Sequence, residues 1–225
     1  NSMKKWLWIS MFMSLAMIFF VMTKCGFRSQ TIVIVSTKEA TPIERKAANE
    51  LAIMLERLFK VEVNVESSAE KAASSLIYVG RPQSNRALEK LIGSNWPDLS
   101  SQGLVLRKIE ASTPTLLVGG GSPVAVLWAV YDLMERLGVR YLLNRDVYPS
   151  QKAWSGLPEL NLVIEPNMQI RSWRLVNDLA HGPVSWSLAE NVRFLRQIAK
   201  MKYNRIHCSL WPAQPFVHYR FRGME

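Results

Sequence analysis

The sequence has 225 residues, of which 48% are hydrophobic and 20% charged, proportions that suit a folded globular protein and exclude bulk disorder. The formal net charge is +10, but the basic residues of the main part stand singly, as at Arg171, Arg174, Arg193, Arg196, Lys200 and Lys202; without a run to track a phosphate backbone, no nucleic-acid partner is expected. Two cysteines, Cys25 and Cys208, provide neither a disulfide framework nor metal-ligand spacing, so no metal and no cofactor is expected either.

The first element is a targeting segment, residues 1–30. Lys4 and Lys5 precede an apolar run from Trp6 to Met22 that only Ser10 and Ser14 interrupt, the pattern of an export signal. The run is about as long as the roughly 20 residues that span a bilayer, and no small-x-small cleavage site follows it. An uncleaved membrane anchor is therefore one reading, and a cleaved signal peptide another. Cys25 stands just beyond the run, where the lipidated cysteine of a bacterial lipoprotein sits, although Met22-Thr23-Lys24 departs from the small residues expected before it. A buried core helix is the remaining alternative. All but the last place the rest of the chain outside the cytoplasm, exported to the cell envelope and membrane-attached, periplasmic or extracellular.

Residues 31–165 read as a layered α/β domain. Thr31–Ser36 is a short β-branched run suited to a strand covered on both faces. Thr41-Pro42 with Glu44 forms a capping box ahead of an amphipathic helix to Phe59, whose apolar residues Ala47, Ala48, Leu51, Leu55 and Leu58 recur at helical spacing. Val61, Val63 and Val65 alternate with polar residues as in a half-buried strand. The unit then repeats: a strand at Leu76–Gly80, a short helix from Ser84 to Ile92, and a polar loop to Gln102. Gly103–Glu110 and Thr115–Val118 pair about the turn at Ser112-Thr113-Pro114. A third helix spans Pro123–Leu137 with Gly138 as its C-cap, followed by a strand at Val139–Leu143. Residues 147–158 form a connection, Leu160–Ile164 an edge strand, and Pro166-Asn167 the domain boundary. Alternation of this kind defines the α/β class.

Residues 166–225 change character. Gln169–Val176 is a strand carrying Trp173, followed by the polar break Asn177-Asp178 and a loop through Pro183. Ser187 and Glu190 cap a helix from Leu188 to Tyr203, and Arg205–Leu210 is a strand. This is a βαβ unit, and its edges call for further parallel strands. About 55 residues cannot close an eight-stranded barrel of about 250, so the segment is expected to be the opening of a truncated TIM barrel.

Gly119-Gly120-Gly121-Ser122 lies between a strand and a helix, as a phosphate loop does. It lacks the Lys-Ser/Thr and the G-x-G-x-x-G spacing of nucleotide sites, so it is expected to be a tight turn.

Four segments together carry a resemblance: the first strand with Glu50-Leu51-Ala52 on its helix, Tyr78-Val79-Gly80, Leu117-Val118-Gly119, and Ala129 through Arg140, which ends in Leu-Gly-Val-Arg. They resemble the N-terminal accessory domain of family 67 alpha-glucuronidases and the related domain of family 20 beta-hexosaminidases, in which a (β/α)8 barrel follows. Lys200 to His207 is similar to the helix-to-second-strand passage of those enzymes, and the match carries over to Asn204 and His207. Ser209 and Pro212 stand where the hexosaminidase pattern has histidine and aspartate, which leaves the glucuronidase likeness ahead.

The resemblance implies a carbohydrate substrate and a set of substrate-binding candidates. His207 and Trp211 share a face of the last strand with Ser209, and Trp211 is placed to stack on a sugar ring. Arg171 is similar to an arginine that contacts sugar hydroxyls in hexosaminidases, and Asn177-Asp178 to an Asn-x-Asp neighbourhood in the glucuronidases. For all five residues a part in barrel closure is the competing reading. Glycoside hydrolysis needs two carboxylates flanking the bond. The acids after residue 165 are Asp178, Glu190 and Glu225, and none forms a credible pair, so no catalytic residue is assigned and the chain alone is expected to be inactive. The expected function is that of a glycoside hydrolase on poly- or oligosaccharides, the basic balance favouring an anionic sugar. The alternative is a non-catalytic surface lipoprotein that binds glycans or a protein partner.

Overall fold

The computed structural model describes residues 30–175, 186–208, 220 and 222–224. Residues 31–225 form one compact unit.

A six-stranded sheet is its frame. In chain order the elements are β1 (Thr31–Val35), α1 (Pro42–Phe59), β2 (Glu62–Glu66), β3 (Ser75–Gly80), a 3-10 turn at Pro82–Ser84, α2 (Arg86–Ile92), a second 3-10 turn at Gly93–Asn95, β4 (Leu104–Ile109), β5 (Thr115–Gly120) and α3 (Pro123–Arg136). Two-residue strands β6 (Arg140–Tyr141) and β7 (Asp146–Val147) come next, then β8 (Asn161–Ile164), β9 (Ser172–Leu175), α4 (Leu188–Lys200) and β10 (Arg205–Cys208). The strand order is β2-β1-β3-β5-β4-β8. The first four of these strands pair in parallel, while β4 runs antiparallel to both β5 and β8.

Local chemistry explains the elements. Thr41 and Glu44 close the capping box of α1: the Glu44 amide donates to the Thr41 hydroxyl at 3.3 Å, and the Thr41 amide donates to the Glu44 carboxylate at 2.8 Å. Ser187 and Glu190 repeat the device on α4. Ser122 and Asn85 cap α3 and α2.

The central strands are apolar throughout because both faces are covered. On one face Ile32, Ile34, Ile77, Val79, Leu116 and Val118 pack against Leu51, Leu55 and Leu58 of α1 and Ala129, Leu133 and Met134 of α3. On the other, Val33, Val35, Tyr78, Val105 and Leu117 pack against Leu88 and Ile92 of α2. The three-glycine segment serves this packing. A Cβ at Gly120 would lie 2.6 Å from the backbone of Ala125, and one at Gly121 would collide with the carbonyl oxygen of Ser100. The turn is tight because α3 and a loop crowd it, which agrees with the reading of a turn.

Several boundaries differ from the sequence-based expectation, among them the end of α4 at Lys200 and the start of β9 at Ser172. Ser84 ends a 3-10 turn, and Asn85 is the N-cap of α2, which begins at Arg86. Leu137 is the C-cap of α3, with Gly138 next to it at φ +107°. The strand expected at 139–143 shrinks to Arg140–Tyr141 and pairs with β7 outside the main sheet. The chain turns back straight after Tyr141, where the Leu142 amide donates to the Arg145 carbonyl at 2.9 Å, and this local hairpin ends the strand.

Candidate functional site

β9, α4 and β10 make a parallel βαβ unit: Ser172, Trp173, Arg174 and Leu175 face Arg205, Ile206, His207 and Cys208 in register. Its two faces differ in chemistry. Trp173 points at the helix, its ring 5.7 Å from that of Phe194 on α4 and 5.4 Å from Tyr203, edge to face in both cases. Strand alternation then puts Ser172 and Arg174 on the opposite face, together with their register partners Arg205 and His207. All four are exposed. Arg174 and His207 are neighbours across the strands near their C-terminal ends, the end at which open and barrel-type parallel sheets bind ligands. Two cationic or ionisable donors side by side on one face form a natural receptor for an anion.

His207, singled out from the sequence, stands in this pair. Arg174, its partner, stands out in the sequence only for its charge; the period-two alternation about Trp173 is the signal that places it. Arg171 sits one residue before β9 and faces the α/β layer. Its Nε donates to the Lys202 carbonyl at 2.7 Å, and its Nη1 donates to Gln102 Oε1 at 2.8 Å and to the Met168 carbonyl at 2.7 Å. The guanidinium lies 4.9 Å from the ring centroid of the buried Trp128, and burial lowers its pKa from the ordinary arginine value. Asn204, just before β10, binds the same place: it accepts from the Arg171 amide at 2.9 Å and donates to Gln102 Oε1 at 3.0 Å and the Gln169 carbonyl at 2.7 Å. Asn177, Asp178, Trp211 and Cys25 lie outside the described residues.

Ion pairs fasten the unit to the α/β layer. Lys200 Nζ lies 2.6 Å from Asp146, and Lys202 Nζ lies 3.1 Å from Asp132 and 2.5 Å from Glu135. Glu190 spends its Oε2 on the cap of α4, where it accepts from the Ser187 amide at 2.7 Å and the hydroxyl at 2.8 Å. Among the described residues no group of three His, Cys, Asp or Glu side chains is arranged to hold a metal ion, and no helix is long and apolar enough to cross a membrane.

The α/β layer carries a likeness to glycoside hydrolase N-terminal domains. Residues 23–133 match the family model described as the glycosyl hydrolase family 67 N-terminus. Among solved structures the chain is similar to a family GH115 4-O-methyl-alpha-glucuronidase with specificity for decorated arabinogalactans, at a TM-score of 0.57 and 13% identity. The likeness covers 80% of this chain and 25% of that one, so the chain spans a quarter of that enzyme's length. No curated protein matches the sequence. Over residues 23–133 the chain is thus similar to the family 67 N-terminus, the likeness that the four quoted segments carry, and it shares a fold with the GH115 enzyme.

Proposed function

We propose that the chain is the leading part of an exported glycoside hydrolase that acts on uronic-acid-bearing poly- or oligosaccharides in the manner of an alpha-glucuronidase. The α/β layer is its accessory domain, and β9–α4–β10 opens a (β/α)8 catalytic barrel, with the domain boundary near Pro166. The observation that carries this reading is the Arg174–His207 pair at the C-terminal ends of two parallel strands, immediately after a domain that matches the family 67 N-terminus. In a barrel this face is the interior, and its strand ends form the substrate rim. A guanidinium there complements the carboxylate of a uronic acid and offers it two parallel hydrogen bonds.

Arg171 and Asn204 set the position of these strand ends, since both are hydrogen-bonded to the accessory layer through Gln102. Asn177, Asp178 and Trp211 belong, on this reading, to the same rim. The catalytic acid and base come from later strands: after residue 165 the acidic residue among those described is Glu190, which is committed to a helix cap. Export through Trp6–Met22, with Cys25 as the lipid attachment point, places the enzyme at the cell envelope. The substrate is the only partner the reading requires.

The test is hydrolysis of 4-O-methylglucuronoxylan oligosaccharides and arabinogalactan by the protein that carries this sequence, with neutral xylo-oligosaccharides as comparison. Released glucuronate or its 4-O-methyl ether is the expected product, and Arg174→Gln should abolish its release. Retention of these glycans without any bond cleavage would favour a non-catalytic glycan-binding lipoprotein instead.

A further inference from the structure

A recess of about 330 Å³, apart from the Arg174–His207 face, is lined by Leu143 and Asn144 from the tip of the β6–β7 hairpin and by Trp186, Glu190, Arg193 and Phe194 at the start of α4. Because β9 and β10 are parallel and α4 runs back between them, the start of α4 lies at the same end of the unit as the C-termini of the strands. The recess therefore stands on the outer flank of the proposed substrate rim, between the accessory layer and the barrel unit.

Its chemistry is mixed in a specific way. Trp186 is 37% exposed and braced edge-on by Phe194 at 5.5 Å, which is itself braced by Trp173 at 5.7 Å; a line of aromatic rings from Trp173 thus holds the outermost one. Beside it, Glu190 keeps one carboxylate oxygen beyond its helix cap, and its pKa is held low by the Ser187 amide and hydroxyl and by the charge of Arg193. An exposed aromatic ring next to an ionised acceptor, a guanidinium donor and a primary amide is what a sugar ring requires: an apolar C–H face to cover and vicinal hydroxyls to satisfy in both directions. The core of a dry protein interface is depleted of charged residues, and this recess is lined by two, Glu190 and Arg193. The volume lies at the small end for ligand sites, which suits one or two sugar rings of a longer chain.

The geometry points to a glycan subsite here, in which Trp186 stacks on a pyranose ring and Arg193, Glu190 and Asn144 bind its hydroxyls, holding a polysaccharide alongside the rim. The inference rests on the carbohydrate-active reading above and extends it to a second place on the same chain. The ring-stacking residue is selective for a sugar face and not for its charge, so neutral and acidic glycans should both bind.

Isothermal titration with xylohexaose and with aldouronic oligosaccharides tests this on the chain itself. Trp186→Ala should weaken both ligands by roughly tenfold, Trp186→Tyr should retain most of the affinity, and Arg193→Gln, an exposed change that leaves the fold intact, should weaken both by a smaller factor. Arg174→Gln should weaken only the uronate-bearing ligand. If Arg174→Gln removes binding while Trp186→Ala and Arg193→Gln change nothing, the subsite is refuted and the carbohydrate reading stands. If the unaltered chain binds neither glycan, both go. Self-association that disappears in Trp186→Ala, without sugar binding, would assign the recess to a second copy of the chain and overturn the subsite.

Discussion

Lys200 Nζ lies 2.6 Å from Asp146 Oδ2, with the two side chains only 15% and 16% exposed. This pair pins the parallel unit to the small hairpin of the α/β layer, and Gln197 adds a 3.0 Å hydrogen bond to the other carboxylate oxygen. Removing one charge leaves the other half-desolvated, and a fully buried pair loses about 3–5 kcal/mol in that way. Here some water remains, so Asp146→Asn is expected to cost roughly 2 kcal/mol, or a fall in melting temperature of about 4–8 °C for a chain of this size. Differential scanning calorimetry checks it; an unchanged transition would mean that the pair contributes nothing.

Arg171 is hydrogen-bonded through both Nε and Nη1 and stacked on Trp128. Lysine keeps the charge but loses the planar fork, so Arg171→Lys should not be conservative. We expect a loss of about 1 kcal/mol concentrated in faster amide exchange of β9 and β10. Exchange that rises evenly over the whole chain would argue against an anchoring role.

Glu44 is fully buried yet ionises readily. Burial alone would raise its pKa, but hydrogen bonds from Arg81, Ser84 and Thr41 outweigh it and hold the carboxyl below its ordinary 4.5. A carboxyl with a depressed folded pKa contributes stability that is complete above its unfolded pKa and lost as the pH falls through the folded one. The wild type should therefore lose stability progressively below about pH 4.5, whereas Glu44→Gln, less stable at neutral pH, should show a flatter acid limb. Urea titrations at successive pH values measure both slopes.

A methyl group at Gly120 would lie 2.6 Å from the α3 backbone at Ala125. The neighbour is main chain and cannot swing aside. Gly120→Ala should cost about 1–3 kcal/mol by overpacking. An alanine variant as stable as the parent in thermal unfolding would show that the strand-to-helix junction is looser than the packing implies.

Cys25 gives a prediction about processing. Lipidation should release the Trp6–Met22 segment and leave a diacylglyceryl thioether on the cysteine, visible as an added mass on the membrane-extracted protein. Intact mass retaining that segment would identify an anchor instead, and Cys25→Ser separates the two by its fractionation.

Where hydrophobic period and capping chemistry agreed, the sequence was legible residue by residue. Thr41-Pro42 with Glu44 and Ser187 with Glu190 marked the starts of α1 and α4 because a cap is a contact between residues three apart. The β4–β5 hairpin was legible for the same reason, its turn being local. The strand expected after Gly138 was not: Val139–Leu143 has the composition of a strand, but the chain turns back after Tyr141 and pairs with β7 instead of joining the main sheet.

The candidate site divides along the same line. His207 could be singled out by its resemblance to a family passage, and the βαβ order by alternating periods. That Arg174 stands beside it, and that Arg171 turns away to hold Gln102 and Trp128, follows from strand register and from which face α4 covers. The amino-acid order alone determined most of the elements, the caps that start α1 and α4 and the likeness of the α/β layer to a known family, because these rest on residues close in the chain. Only the tertiary structure decided which arginine faces the strand ends and which serves as an anchor, because register and docking join residues some thirty to seventy positions apart, as Arg174 with His207 and Arg171 with Gln102.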